Sequence, residues 1–455
     1  MLSCKYLIIG SGETGLILAR ELAKSGQKII LAEQNEIGGS FLHSLDIPKN
    51  ILKSEAEDFA TGLRMYKNHP DTFTVLRKYR QKIQEKIWEK TKLQKNKLLN
   101  NLEKIENLEI IKGKAEITSK SLAEINSETE RHLVGFEQVI VAIGKSGIQK
   151  ITDIELKDID FLHKHNIFLF HEIPSKLAIL GCTLETLEIA SIYAGLGVKV
   201  NIYESLEVQT VMPKLDRAAF NYVIKSLMKR NVSFNFETNI KEVQKNPETK
   251  ELTLIDDKRQ EYKNSHIYIR VQEIFSDDSV NLNKLGIRQS PEGIIANGNG
   301  RTVQTNISVL GNCFSQTSKQ NKYANIFDYT EKELKKNSKN PSSLLGISSY
   351  FSEGEVSPNN LRIIKINSYE PVINIGLSER NAKAVHGTYI KVDIIENLEN
   401  ENFIKIIYKE NTGQILGIVL AGKKYSELEI YAVVSLKKNS NYKQVRNFIR
   451  SYWGI

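Results

Sequence analysis

The chain opens with a short apolar run at residues 5–9 that stops at Gly10-Ser11-Gly12-Glu13-Thr14-Gly15, then places apolar residues at Leu16, Ala19 and Leu22. The first stretch predicts a buried strand and the second a helix with one apolar face. Gly26 ends that helix, and residues 28–32 form another apolar run closed by Glu33. Strand, glycine turn, helix and strand make a βαβ unit with an intact G-x-G-x-x-G and an acidic residue at the end of the second strand. Gly10 permits the tight turn, Gly12 lets the backbone approach a pyrophosphate, and Gly15 lets the helix pack close to the strand. The helix start at Glu13 and Thr14 offers free N–H groups and a partial positive charge to phosphate. Glu33 is placed to accept hydrogen bonds from a ribose. The unit predicts dinucleotide binding.

The pattern returns with a strand at 176–180, the turn Gly181-Cys182-Thr183-Leu184-Glu185-Thr186, a helix, and a strand at 198–203. Measured from the first glycine, Ala190, Gly197 and Glu204 repeat the offsets of Ala19, Gly26 and Glu33. Three coincident offsets predict two equivalent mononucleotide units. In the second, however, Thr183 and Thr186 stand where the first has Gly12 and Gly15. Both are β-branched and put side-chain atoms where backbone should touch phosphate. The unit can still fold, and its ligand stays open.

Composition narrows the picture. The chain has 455 residues, 63 Lys and Arg against 54 Asp and Glu, and three cysteines. That length accommodates two to four domains. Cys4, Cys182 and Cys313 are too far apart in sequence to form a C-x-x-C pair, which suits a reducing compartment. No stretch of 18 apolar residues suggests a membrane span, so a cytoplasmic location is expected. Ten Lys and Arg against three Glu fall in residues 76–104, where Leu76, Tyr79, Ile83, Ile87, Leu98 and Leu102 keep mostly helical spacing. This predicts a long amphipathic helix with a solvated basic face. No aromatic platform is interleaved, so nucleic acid is not the expected partner. No metal site is expected: His163, His165 and His171 lack the spacing of a helical metal pair.

Two such units in this order resemble the FAD-dependent pyridine nucleotide-disulfide oxidoreductases, the family of dihydrolipoamide dehydrogenase, glutathione reductase and mercuric reductase. Val139-Ile-Val-Ala142-Ile-Gly144 is similar to the strand and glycine that join the family's FAD and NAD domains. Thr305-Asn-Ile-Ser-Val-Leu-Gly311-Asn312 is similar to its second FAD motif, with Asn312 where Asp is usual. Residues 370–382 resemble the opening of its C-terminal dimerisation domain, in which strands at 403–408 and 415–421 flank a turn at 410–413. The resemblance implies an α/β protein with two Rossmann-like FAD- and NAD(P)-binding domains, the second inserted in the first, and an α+β dimerisation domain. The expected limits are 1–150 with 278–345, 151–277, and 346–455. A helix and polar linker are expected at 329–352. The implied FAD contacts include Gly39 and Ser40 besides the residues above, and Gly181 and Glu204 are the corresponding positions for NAD.

The sequence departs from this family at the chemistry. The family carries two cysteines, separated by four residues, on the helix that here reads Gly38-Gly39-Ser40-Phe41-Leu42-His43-Ser44-Leu45-Asp46. Phe41 and Asp46 hold the cysteine positions, and neither forms a thiolate or mixed disulfide. Asn50 stands at the family's next Lys position, while Glu188 keeps the partner carboxylate. Either Lys49 or Lys53 shifts inward, or Glu188 is solvated or protonated. Tyr452 aligns with the family's C-terminal His, and packing of Tyr452 and Trp453 in the last helix is the simpler role. The expectation is a homodimeric FAD-dependent oxidoreductase without a dithiol relay, passing electrons from NAD(P)H through FAD to a small-molecule acceptor. Glu204 would favour NADH over NADPH, because it repels a 2′-phosphate. The rival is a catalytically degenerate FAD-binding homodimer with a binding or structural role.

Overall fold

The first unit forms as its periodicity requires: β1 (Leu2–Ile9), α1 (Glu13–Lys24) and β2 (Ile29–Glu33). This is a computed structural model describing residues 1–65, 72–145, 147–151, 154, 156, 159–169, 173–275, 280–297, 299–315, 362–397, 402–422 and 426–454, without the side chains of 72, 73, 75–77 and 426. His171, the 329–352 segment and the Leu76 side chain lie outside the described residues. After β2 come α2 (Gly39–His43), α3 (Asp46–Met65) and the long α4 (Thr72–Glu103), then β3 (Leu108–Lys112). β4 (Lys114–Ile117), β5 (Leu122–Asn126) and β6 (Arg131–Val141) follow. β3-β2-β1-β6 run parallel, and β5 and β4 continue the sheet antiparallel beyond the long β6. Ile9 lies between Ala32 and Val141 in register. Leu7 and Ile8, on opposite faces of β1, are both fully buried, which explains an apolar run without alternation.

β7 (Gly147–Lys150) leads out of this sheet to the second unit: β8 (Lys176–Leu180), α5 (Leu184–Gly195), β9 (Lys199–Tyr203), α6 (Arg217–Met228) and β10 (Val232–Asn235). The hairpins of β11 (Ile240–Lys245), β12 (Leu252–Asp256) and β13 (Glu261–Asn264) precede β14 (His266–Tyr268). β10-β9-β8-β14 are all parallel and repeat the order β3-β2-β1-β6. β15 (Val271–Ile274) returns antiparallel to β7. β16 (Gln289–Ser290) and β17 (Gly293–Ile295) form a small sheet, completed by β19 (Phe314–Ser315), after β18 (Ile307–Val309) has joined β6 in the first sheet. The second unit is therefore inserted between β6 and β18.

The C-terminal part is an antiparallel sheet, β20-β21-β24-β23-β22, made of β20 (Ile363–Ile366), β21 (Val372–Gly376), β22 (Ile390–Asn397), β23 (Asn402–Lys409) and β24 (Ile415–Ala421). α7 (Glu379–His386) follows β21, and α8 (Ser426–Lys437) and α9 (Tyr442–Trp453) end the chain. Alternation along the strands divides the sheet. Ile373, Ile375 and Leu420 pack under α8 and α9, whereas Val372, Val419 and Ala421 join the core of the second unit. Buried Lys405 ties the two parts through Asp216 (2.9 Å) and Glu379 (2.7 Å). The architecture is α/β with two Rossmann-like units and an α+β C-terminal domain.

α4 is amphipathic as expected. Ile83, Ile87 and Leu102 are buried, and Tyr79 packs against the same core as Ile83 and Ile87. Glu55 on α3 is 1% exposed and receives the Tyr79 hydroxyl (2.7 Å), Lys86 (3.0 Å) and Lys90 (2.5 Å). Part of the basic face thus serves an internal contact, while Trp88 remains exposed. Among the described residues no helix is long and apolar enough to cross a membrane.

Candidate functional site

The turn after β1 is built around its glycines. Gly10 has φ +100°, and a Cβ there would meet Ala142 O at 2.6 Å. A Cβ on Gly15 would meet Gly10 O at 1.9 Å, so α1 crosses close over its own strand. Gly12 differs: a Cβ there meets nothing within 4 Å, because its backbone faces an open cleft. Gly12 is also the N-cap of α1 and supplies no side-chain cap. The helix start is left to a ligand.

Glu33 holds this turn. One carboxylate oxygen accepts the Ser11 N–H and hydroxyl, both at 2.7 Å, and the other accepts the Asn35 N–H at 2.8 Å. A carboxylate has about four acceptor directions, so capacity for a ribose hydroxyl remains. The cleft measures 290 Å³. Of the residues expected at FAD, Gly10, Gly12, Glu13, Thr14, Glu33, Gly39, Ser40, Ala142, Gly144 and Asn312 line it. Gly15 and Gly311 do not; Gly15 backs the turn, and a Cβ on Gly311 would meet Thr14 Oγ1 at 2.6 Å. Sequence reasoning missed Leu45, Gly113, Lys145 and Glu273, which also line the cleft. They come from loops and one short strand that only the tertiary fold brings together, and no motif marks them. An uncapped helix start, a glycine facing open space and a ribose-height carboxylate fit a dinucleotide such as FAD.

Phe41 and Asp46 line this same cleft. The cysteines do not: Cys4, Cys182 and Cys313 are buried, and none forms a disulfide among the described residues. Burial pushes the Cys182 thiol up to about 12 and Cys4 up to about 11. Cys313 follows Asn312 but is fully buried, with its sulfur directed to the Val141 and Leu310 carbonyls. Such thiols supply little thiolate.

The buried Glu188 has found a cation. Lys49 Nζ lies 3.9 Å from Glu188 and 3.6 Å from Asp46, and the Asn367 N–H donates to Glu188 at 2.9 Å. Burial pushes the Glu188 carboxyl up, with Lys49 and Lys53 opposing. Burial likewise pushes Lys53 down. Asn50 is exposed; Lys49 lies inward beside Glu188, and burial at the same time favours the protonated form of Glu188. At the rim, Glu273 is joined by Lys164 and His165, each at 3.0 Å. Burial alone would raise its carboxyl, but these partners hold it down to about 2.

Two other candidates are occupied. His43 Nε2 lies 3.0 Å from the Ile37 carbonyl. Tyr452 is 43% exposed and donates to Glu427 at 2.9 Å, while Trp453 packs on the C-terminal core. Trp453 packs as expected of that pair, and Tyr452 stacks on Phe448 of the same helix at 6.3 Å. Among the described residues no cluster of His, Cys, Asp and Glu could hold a metal.

In the second unit, Gly181, Thr183 and Glu204 line a separate cavity of 570 Å³. Glu204 repeats the role of Glu33, accepting the N–H groups of Cys182 (2.7 Å) and Leu206 (3.0 Å). Thr183 and Thr186 cap α5 reciprocally, unlike the open start of α1.

Comparison with known proteins agrees with this geometry. The family description for pyridine nucleotide-disulphide oxidoreductases matches residues 4–326. Dihydrolipoyl dehydrogenase of Zymomonas mobilis is 23% identical, over 93% of this chain and 89% of that protein. The corresponding enzyme of Bacillus subtilis is also 23% identical, over 98% and 94%. Among solved structures, the HOCl-induced flavoprotein disulfide reductase RclA of Escherichia coli superposes with a TM-score of 0.74 at 18% identity, covering 96% of this chain and 94% of that one. Its Cu(II) complex gives 0.75. The chain belongs to the pyridine nucleotide-disulphide oxidoreductase family, whose members bind FAD and use NAD(P)H as substrate.

Proposed function

We propose that the protein is an FAD-dependent oxidoreductase that works without a dithiol relay, passing electrons from NAD(P)H through the flavin directly to a small acceptor. The observation behind this reading is the pair Phe41 and Asp46 in the cleft, with all three thiols buried elsewhere. FAD, when bound, takes up two electrons and releases them to an acceptor. The chain's part is to seat it: Gly12 and the start of α1 meet phosphate, Glu33 a ribose, and Asn312 a polyol hydroxyl. Lys49 sits within 4 Å of both Asp46 and Glu188. The second unit offers the donor a capped helix, so the KM for NADH should be high, above about 1 mM.

The same reading divides the chain at 1–150 with 278–345, 151–277 and 346–455, with the last part pairing two copies in a homodimer. Three cysteines outside any disulfide favour a cytoplasmic setting. The rival reading, a catalytically degenerate FAD-binding homodimer, draws on the Thr183–Thr186 cap.

Anaerobic mixing tests both. The purified protein should be yellow, and NADH should bleach it slowly and more effectively than NADPH. Yellow protein that neither nucleotide bleaches would favour the degenerate form, and protein unable to take up FAD would exclude both. A charge-transfer band that appears on reaction with thiols would contradict the absence of a dithiol relay.

A further inference from the structure

The second unit keeps the path of the first but closes its phosphate seat. The Thr183 hydroxyl accepts the Thr186 N–H (3.4 Å), and the Thr186 hydroxyl accepts the Thr183 N–H (2.8 Å). Thr186 also donates to the Gly181 carbonyl at 2.9 Å. These side chains take the donors that a pyrophosphate would need. A dinucleotide does not fit here as it fits the first unit.

Yet the adjoining cavity, at 570 Å³, is larger than the 290 Å³ cleft of the first unit. Its wall is largely aliphatic, with Ile154, Leu206, Val211, Met212, Ile240 and Ile364. Two cations line it, Lys214 and Arg270. Arg270 leaves the end of β14 and passes over the glycine turn, where a Cβ on Gly181 would lie 3.5 Å from its Cδ and 3.9 Å from its Nη1. In the first unit the backbone of Ala142 and Ile143 occupies the corresponding place over Gly10. The Arg270 Nε is buried without a hydrogen-bond partner, and among the described residues Arg270 forms no ion pair. The nearby carboxylates are engaged elsewhere: Glu185 receives the Tyr268 hydroxyl, and Glu204 the two backbone N–H groups of its turn.

A buried guanidinium N–H without an acceptor is costly, and its planar fork matches a carboxylate. Aliphatic walls suit an apolar body. Glu204 at the rim discourages a polyanion. We propose that this cavity binds an organic monocarboxylate with an apolar body, its carboxylate on Arg270 and its body along the aliphatic wall, in place of a dinucleotide. This goes beyond the proposed function: flavin loading does not depend on it, and NADH, which reaches the flavin through the same unit, would compete with the carboxylate.

Octanoate serves as the probe, with 1-octanol, inorganic pyrophosphate and NADH as comparisons, in calorimetric titration of the FAD-loaded protein. Octanoate should bind, and 1-octanol and pyrophosphate should bind at least tenfold more weakly or not at all. Arg270→Gln should weaken octanoate by about tenfold or more, with Arg270→Lys intermediate. Circular dichroism and flavin content identify a variant that has merely failed to fold. Thr183→Gly with Thr186→Gly should strengthen NADH and leave octanoate unchanged, a gain that misfolding cannot imitate. Octanoate that fails to bind, binds no better than 1-octanol, or ignores Arg270→Gln overturns the proposal. So does NADH or pyrophosphate binding to the unaltered protein more tightly than octanoate. Flavin bleaching by NADH, recorded on the same samples before octanoate is added, reports separately on the oxidoreductase reading.

Discussion

Gly10 and Gly12 stand two residues apart in one turn and carry different burdens. At Gly10 any side chain meets the Ala142 carbonyl and the backbone must hold φ +100°, so Gly10→Ala should cost the fold itself about 1–3 kcal/mol. At Gly12 the space is open, and Gly12→Val should leave the apoprotein folded while FAD uptake falls by at least about tenfold. Thermal melting read beside flavin content separates the two, and equal melting losses would contradict the assignment of Gly12 to ligand approach. The turn itself was legible because the spacing of glycines, helix and acid is its geometry. Lys49 was not legible. A one-position shift from Asn50 to Lys49 turns about 100° around a helix. Whether such a turn ends at Glu188 or in solvent depends on how α3 lies against α5, which local spacing does not encode.

At the scale of elements, α4 shows what charge counting leaves out. Its Lys-rich composition reads as a solvated face, but two lysines and a tyrosine converge on a buried carboxylate of α3. Removing Glu55 leaves these donors without their acceptor. Glu55→Ala should therefore lower stability by about 3 kcal/mol, measured by urea unfolding. Burial would raise the Glu55 carboxyl, but Lys90, Tyr79 and Lys86 together hold it below its ordinary value. Its contribution is therefore present above the unfolded value near 4.3 and fades as pH falls through the lower folded value. The variant should show a weaker acid dependence in that range. The strands of both units were legible as unbroken apolar runs, whereas β15, β16 and β19 are too short and too dependent on distant partners to leave a periodic signal.

At the scale of the whole molecule, the last two helices leave an apolar surface. Ile430 and Val434 on α8, and Phe448 and Tyr452 on α9, are each more than 40% exposed, and each pair is separated by one helical turn. Phe448 stacks on Tyr431 at 3.7 Å, which joins the two helices into one face. If two copies pair through it, Ile430→Glu with Phe448→Glu should yield a folded monomer in sedimentation, with flavin content retained. An unchanged oligomer would exclude this face. The interrupted first domain was legible at this scale because a family motif near residue 305 matches a strand far from its sequence neighbours.

The two carboxylates that brace the glycine turns have one more consequence. Glu33 and Glu204 fasten equivalent loops with the protein's own N–H groups, so each loop keeps its shape whether or not a nucleotide is present. Folding and ligand choice are thereby uncoupled. The second loop can exchange glycines for threonines and remain a loop, which gives a lineage freedom to retire one ligand and recruit another without passing through an unfolded ancestor.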